Sequence, residues 1–412
     1  MKLQSLPELL APAGDTERLQ AAVEYGADAV YLGAENFGMR TAAATFDPTS
    51  LENACNYAHG RGVKVYLTCN TVPRNEDLEK LDVFLKTAQK CGVDALIVTD
   101  IGVMMRALEL VPDIDIHIST QAGITNYAAA KQFKALGAKR IVTAREISLE
   151  EIAQIRQHCP DGPEIESFVH GAMCVSFSGR CLLSNYLTGR DSNRGDCAQP
   201  CRWKYTVTEE TRPGEQFPVD EDESGTYIFN SRDMCMIEHI ASLAYAGIDS
   251  FKIEGRAKSA YYTAVTVNAY RSALDAFKAS GFDPDFKPEK WMVEELYKVS
   301  NREYCTGFYF SSPGKDAQIY YNGGYVRNWE IAAVAENCEN GTLFATQRNR
   351  FFEGDELEVM AKGRRPFKIT VRNLKNGEGE NIDNAPHPMM ALSFDCDEYI
   401  PKGAYLRRCR EN

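Results

Sequence analysis

Eight short apolar runs, separated by stretches with a helical period, fill the first two thirds of this chain and leave few folds open to it. The runs lie at residues 8–13, 28–33, 64–70, 94–100, 114–120, 140–146, 165–171 and 250–255. Between them, segments such as DTERLQAAVEYG, YAAAKQFKALG and SLEEIAQIRQHC read as amphipathic helices, often closed by glycine. Strands joined by helical crossovers run parallel. Eight such units by about residue 275 fit a closed α/β fold, a (β/α)8 TIM-like barrel, better than an open doubly wound sheet.

The spacing fails once, after the seventh run. Residues 172–235 hold five cysteines and two β-rich runs, KYTVTE and TYIFNS, around an acidic stretch at 209–225, which predicts a hairpin excursion. In a barrel this insertion sits at the C-terminal face, where active sites are built. Beyond about residue 300, runs such as EIAAVAE, DELEVMA and FKITVRN between Gly, Asn and Asp turns predict a small all-β barrel or sandwich. The expected domains are thus a barrel over 1–290 and a β-domain over 300–412.

Thirteen cysteines exceed what packing needs, and the opening MKLQSLPELLAPAGD lacks a secretory pattern, so a cytoplasmic protein with reduced thiols is expected. No apolar run reaches the roughly 18 residues of a membrane span. The net charge of −12 argues against coating nucleic acid non-specifically, so an RNA partner would need a local basic surface. Arg348, Arg350, Lys362, Arg364, Arg365, Lys368, Arg407, Arg408 and Arg410 are candidates for it, or else a solvated charged face.

Among the cysteines, Cys174 and Cys181 bracket a glycine-containing turn, Cys197 and Cys201 share GDCAQPCR, and Cys235 ends SRDMC. A four-iron cluster takes four thiolates and a structural zinc would draw on the same residues. The other eight cysteines stand singly and read as small buried hydrophobes. At the strand ends, Arg40, Arg145, Arg180, Lys252 and Arg256 are placed to clamp a small dicarboxylate, or to pair with Glu146, Glu166 or Glu254 at the rim. Asn70 and Gln121 are candidate polar contacts, and His170 is either a core residue or a proton carrier.

The stretch ESFVHGAMCVSFSGRCLLS at 166–184, with Glu166, Phe168, Gly171, Ala172, Cys174, Gly179, Cys181 and Ser184 in register, resembles the signature of the U32 family of peptidase-like proteins. PELLAPAG at 7–14, STQ at 119–121, ARE at 144–146 and KIEGRAKS at 252–259 extend the resemblance over the whole barrel. It implies a 4Fe-4S cluster on Cys174, Cys181, Cys197 and Cys235, with Cys201 as the alternative ligand. It further implies RNA hydroxylation, closest to members that form 5-hydroxyuridine at a tRNA wobble position with prephenate as co-substrate, and as an alternative a ribosomal RNA cytidine. In that reading His170, Arg145 and Glu166 are the catalytic candidates, and Arg40, Asn70, Gln121, Arg145, Arg180, Lys252, Glu254 and Arg256 bind substrate. A sister group acts as a heterodimer, so a dimer or a partner subunit is also implied.

The family name implies proteolysis instead. The chain has no HExxH and no GxSxG, so a nucleophile would have to be Cys174 or Cys181 with His170 as base. A cysteine bound to iron cannot also attack a peptide. An RNA-binding scaffold with a structural metal is the non-enzymatic alternative.

Overall fold

The computed structural model describes residues 3–35, 37, 38, 45–174, 176–203, 220–222, 225–227, 231–311 and 325–410. Its first unit, residues 1–288 with 301–325, is built on β1 (Glu8–Pro12), β2 (Ala29–Gly33), β3 (Lys64–Cys69), β4 (Ala95–Val98), β5 (Asp115–Ile118), β6 (Arg140–Val142) and β7 (Glu164–Ala172). A two-stranded ribbon, β8 (Asp220–Asp222) with β9 (Gly225–Tyr227), is followed by β10 (Asp233–Cys235), β11 (Ser250–Ile253) and β12 (Tyr304–Cys305). Strands β1 to β7 pair in parallel and in sequence, and β11 pairs in parallel with both β7 and β1, which closes an eight-stranded barrel. The eight runs read from the sequence are these eight strands. Of the two β-rich runs in the insertion, KYTVTE and residues 228–230 of TYIFNS lie outside the described residues.

The crossover helices start where side chains satisfy their free N–H groups. Asp15, Asp47, Asp100, Asn126, Ser148 and Ser259 each accept a first-turn backbone hydrogen bond, and Ser148 with Glu151 forms a reciprocal box. Helix Ala260–Ala279 is buried along most of its length, the reason its apolar pattern is nearly continuous.

Inside the barrel an apolar group of Leu10, Ala29, Tyr31, Tyr66, Ala95 and Ile97 lies beside a buried ionic lattice. Arg140 reaches Glu8 at 2.6 Å, Glu164 at 2.7 Å and Glu166 at 3.1 Å, while Lys252 meets Glu166 at 2.8 Å. Strand β7 runs past the barrel, and its end pairs antiparallel with β10, which pairs with β12. No sequence signal pointed to this extension.

The second unit joins residues 289–300 to 326–412, so helix Lys290–Glu295 belongs with the β-domain and not with the barrel. Its strands are β13 (Trp329–Glu339), β14 (Thr342–Gln347), β15 (Glu356–Met360), β16 (Phe367–Thr370), β17 (Lys375–Asn376), β18 (Ala391–Asp395) and β19 (Tyr405–Cys409). They form one antiparallel sheet ordered β16-β15-β19-β13-β14-β18-β17 over a core that includes Phe351, Leu357, Val359, Phe394 and Leu406. A buried ionic group explains the grouping: Arg407, fully buried, holds Glu295 at 2.6 Å and Glu358 at 2.6 Å, and Lys298 joins both carboxylates.

Replacing Arg407 by Met leaves Glu295 and Glu358 with Lys298 alone, in a setting where stripping one partner from a buried ion pair costs about 3 kcal/mol. Urea unfolding of the full chain, followed by circular dichroism and tryptophan fluorescence, is expected to show that loss. A change under about 0.5 kcal/mol, the scale of ordinary surface substitutions, would show the network to be dispensable.

Candidate functional site

At the C-terminal ends of the strands a cavity of about 120 Å³ opens between the barrel and the insertion. Its barrel wall is made by side chains that alternate along the strands, Tyr31, Thr68, Ile97 and Phe168 among them, with Ser119, Thr120 and Gln121 from the turn after β5. The insertion forms the other wall, and Cys174, Cys181, Cys197 and Cys201 all line it.

A web of polar contacts holds the cysteine loop against the barrel. Glu146, after β6, accepts from the backbone N–H of Ser178 at 2.6 Å and from its hydroxyl at 2.8 Å. Ser178 has φ +45°, a conformation that this double anchor helps to hold. Asn193 accepts from Cys181 N at 3.1 Å and donates to Cys181 O at 3.0 Å, and Arg194 pairs with Glu76 and Asp77. Two of the thiols already take N–H bonds of the kind that tune cluster sulfurs: Ser176 N to Cys174 Sγ at 3.5 Å and Gln199 N to Cys197 Sγ at 3.4 Å. Among the described residues no three His, Cys, Asp or Glu side chains are gathered closely enough to hold a single metal ion.

Cys235, expected as the fourth ligand, is elsewhere. It lies on β10 in register with His170, beside the Tyr270 hydroxyl at 4.0 Å, and burial pushes its thiol up to about 12. It does not line the cavity, whereas Cys197 and Cys201, expected as alternatives to one another, both do. None of the thirteen cysteines is in a disulfide, and Cys55, Cys69, Cys91, Cys159 and Cys396 are buried in the manner of small hydrophobes.

Three of the expected cations face the cavity. Arg145 stacks over Phe168 at 3.9 Å, donates to Ala172 O at 3.2 Å and pairs with Glu254 at 3.1 Å, yet its buried Nε has no hydrogen-bond partner among the described residues. Arg256 donates to Thr68 Oγ1 at 3.1 Å, and its guanidinium occupies space that only Gly33 leaves free, since a Cβ there would stand 2.2 Å from Nη1. Lys252 lies over Tyr31 at 4.5 Å and holds Glu166 from the cavity side. Asn70, Gln121 and Glu254 line the cavity as expected, with Gln121 Oε1 taking the Thr99 hydroxyl at 3.4 Å.

Arg40 lies outside the described residues. Other expected residues are placed elsewhere: Arg180 is exposed and does not line the cavity. Glu166 is wholly buried between Lys252 and Arg140, an anchor below the cavity. His170 packs among Tyr262, Tyr270 and Tyr304, with burial pushing it down to about 3, so its ring stays neutral, and it does not line the cavity with the four thiols there. The cause is local: the β7–β11 register shifts between Lys252 and Ile253, and such an irregularity re-aims the side chains beyond it. In the second unit, Arg364, Lys368, Arg407, Arg408 and Arg410 are all paired with carboxylates, so these residues do not form the open basic surface expected. Sequence reasoning also passed over Tyr31, Thr68 and Phe168, which two-residue alternation back from each strand end would have found.

Residues 14–319 match Peptidase family U32, and residues 327–407 match the Peptidase family U32 C-terminal domain. The chain belongs to peptidase family U32. It is 36% identical over 405 residues to tRNA hydroxylation protein P1 of Bacillus subtilis (strain 168), covering 98% of this chain and 94% of that protein. It is 33% identical over 373 residues to a protein named Collagenase from Porphyromonas gingivalis, covering 85% and 86% of the two chains. It is also 38% identical over 270 residues to the 23S rRNA 5-hydroxycytidine C2501 synthase of Escherichia coli (strain K12), covering 65% of this chain and 39% of that one. Among the described residues no helix is long and apolar enough to cross a membrane.

Glu146 carries the loop geometry, and replacing it by Ala removes both bonds to Ser178. Limited proteolysis is expected to cut within residues 174–203 several times faster in this variant, with the barrel's melting temperature nearly unchanged. Equal cleavage rates would mean that the loop is held by other contacts.

Proposed function

We propose that this U32 protein is an RNA hydroxylase acting in the cytoplasm, and that it places a hydroxyl on C5 of a tRNA wobble uridine with prephenate as co-substrate. The observation that carries this reading is the convergence of four thiols and three cations on one cavity at the barrel's C-terminal face. A relative matched over nearly the whole length bears the name tRNA hydroxylation protein P1.

Cys174, Cys181, Cys197 and Cys201 would hold a 4Fe-4S cluster. Four thiols around one cavity suit a core several atoms across, and the N–H bonds at Cys174 and Cys197 suit thiolate charge. When bound, the cluster supplies one-electron chemistry beside the substrate. The chain's own residues bind and orient. Arg145 offers an unused donor on a guanidinium already fixed by Glu254 and Phe168, and Arg256 and Lys252 add positive charge, a set suited to a small dicarboxylate. Asn70 and Gln121 present amide groups of the kind that pair with the edge of an unstacked pyrimidine.

Proteolysis is disfavoured by the placement of His170. A thiol peptidase needs a base within hydrogen-bond reach of its cysteine, and the ring beside the cysteine loop is turned into a tyrosine cage.

Anaerobically purified protein is expected to contain about four irons per chain. Cys174→Ala, Cys181→Ala, Cys197→Ala and Cys201→Ala should each lose the iron, and Cys235→Ala should keep it. Iron lost with Cys235 and kept without Cys201 would reverse the assignment of the fourth ligand.

Mass spectrometry of nucleosides from a deletion strain is expected to show loss of 5-hydroxyuridine-type nucleosides from tRNA. Loss of 5-hydroxycytidine from ribosomal RNA instead would move the substrate, and complete modification of both would overturn the reading. In calorimetry, Arg145→Gln should weaken prephenate binding by about tenfold or more, the scale of one charge-assisted hydrogen bond, with iron unchanged.

A further inference from the structure

The insertion that turns its cysteines toward the cavity turns large apolar side chains outward. Phe177 is 54% exposed, Leu182 56%, Tyr186 78%, Leu187 48% and Trp203 44%, all between residues 177 and 203. Scattered apolar residues need no explanation, but this many on one short insertion beside a cavity mark a contact surface. Phe177 rests on the turn carrying Gln121, since a Cβ on Gly123 would stand 3.6 Å from its ring. Tyr186 lies on helix Leu183–Thr188, which packs against the turn Pro200–Arg202 that holds Cys201 and precedes Trp203. Each aromatic residue is therefore tied to an element that also lines the cavity. Arg180, in the same stretch, is exposed.

The occupant follows from charge. The chain carries −12, and of the nine candidate phosphate contacts in the second unit Arg364, Lys368, Arg407, Arg408 and Arg410 pair with carboxylates, which leaves Arg348, Arg350, Lys362 and Arg365. In an acidic chain with this few uncommitted cations, contacts other than ion pairs carry more of the grip on a polyanion. Unpaired bases offer flat faces that stack on aromatic rings whatever the backbone charge.

We propose that Phe177, Tyr186 and Trp203 form a stacking surface for the unpaired nucleotides that flank the base entering the cavity. This rests on the RNA reading above and names how that substrate is held. Arg180 supplies a nearby positive charge for the backbone, and a folded loop with splayed bases is the form of RNA that fits.

The test uses iron-loaded full-length protein, unmodified tRNA and a tRNA stem-loop, with affinity measured at several salt concentrations. Removing three stacked partners (F177A, Y186A and W203A together) is expected to weaken RNA binding at least five- to a hundredfold, the scale of even a single lost stack. Iron content and the salt dependence should stay as in the wild type. Y186F and W203F, which keep a ring and lose only polar atoms or size, should retain most of the affinity, as stacking requires. Wild-type RNA affinity in the triple variant would overturn the proposal. So would a shift in its solution mass from dimer to monomer with RNA binding intact, which would make the face a contact between copies. If the wild-type protein itself binds no RNA and the deletion strain keeps its RNA modifications, the functional reading fails along with the surface.

Discussion

The barrel depends on one carboxylate. Glu166, with no exposed surface, sits between Lys252 of β11 and Arg140 of β6, and Arg140 continues to Glu8 of β1. Strands on both sides of the closing seam are thereby joined through charge as well as backbone bonds. Burying such groups is costly unless every partner is in place, so the lattice tolerates little change of register. It also fixes the cavity floor: with Glu166 below it, Lys252 presents an ammonium to the site, while Glu254 partly balances Arg145. The result is a pocket with more positive than negative charge, in a chain whose total is strongly negative.

That constraint separates what could be read in the sequence from what could not. The eight barrel strands were legible because parallel strands buried on both faces read as continuous apolar runs between helical patterns. The cavity cysteines, Arg145, Lys252, Arg256, Asn70 and Gln121 were legible because strand ends of a barrel converge. His170 was not, since a register shift between Lys252 and Ile253 leaves no trace in residue type. The pairing of Arg407 with Glu295, 112 positions away, hid in the same way, and with it the fact that residues 289–300 belong to the second unit. Cys201 read from sequence only as the alternative to Cys197, and Cys235 as the fourth ligand. Only the antiparallel addition of β10 to the end of β7 shows that Cys235 stands with His170 and Tyr270, outside the cavity.

The insertion concentrates two tasks that barrels usually divide among several loops. Its inner face carries all four cavity thiols, and its outer face carries the exposed rings. Glu146 fastens the middle of the Cys174–Cys181 turn at Ser178 and Asn193 fastens its end at Cys181, so inner and outer faces hold a set relation to the barrel. Whatever binds outside is registered against whatever reacts inside, over a span of a few residues.

This coupling bears on how an acidic protein handles a polyanion. Long electrostatic contacts with RNA speed encounter but carry little information about which base is presented. Here the cations that face inward are committed to a small cavity, and in the second unit Arg364, Lys368, Arg407, Arg408 and Arg410 are tied to carboxylates. Repulsion from the rest of the surface then works as a filter. On the proposed reading a duplex, with its bases stacked away and its phosphates dense, would gain little at this face, whereas a loop with unstacked bases could offset the repulsion by stacking and by inserting one pyrimidine among Asn70, Gln121 and Arg145. In that reading, selectivity for an exposed loop base would follow from the charge balance together with the shape of one insertion.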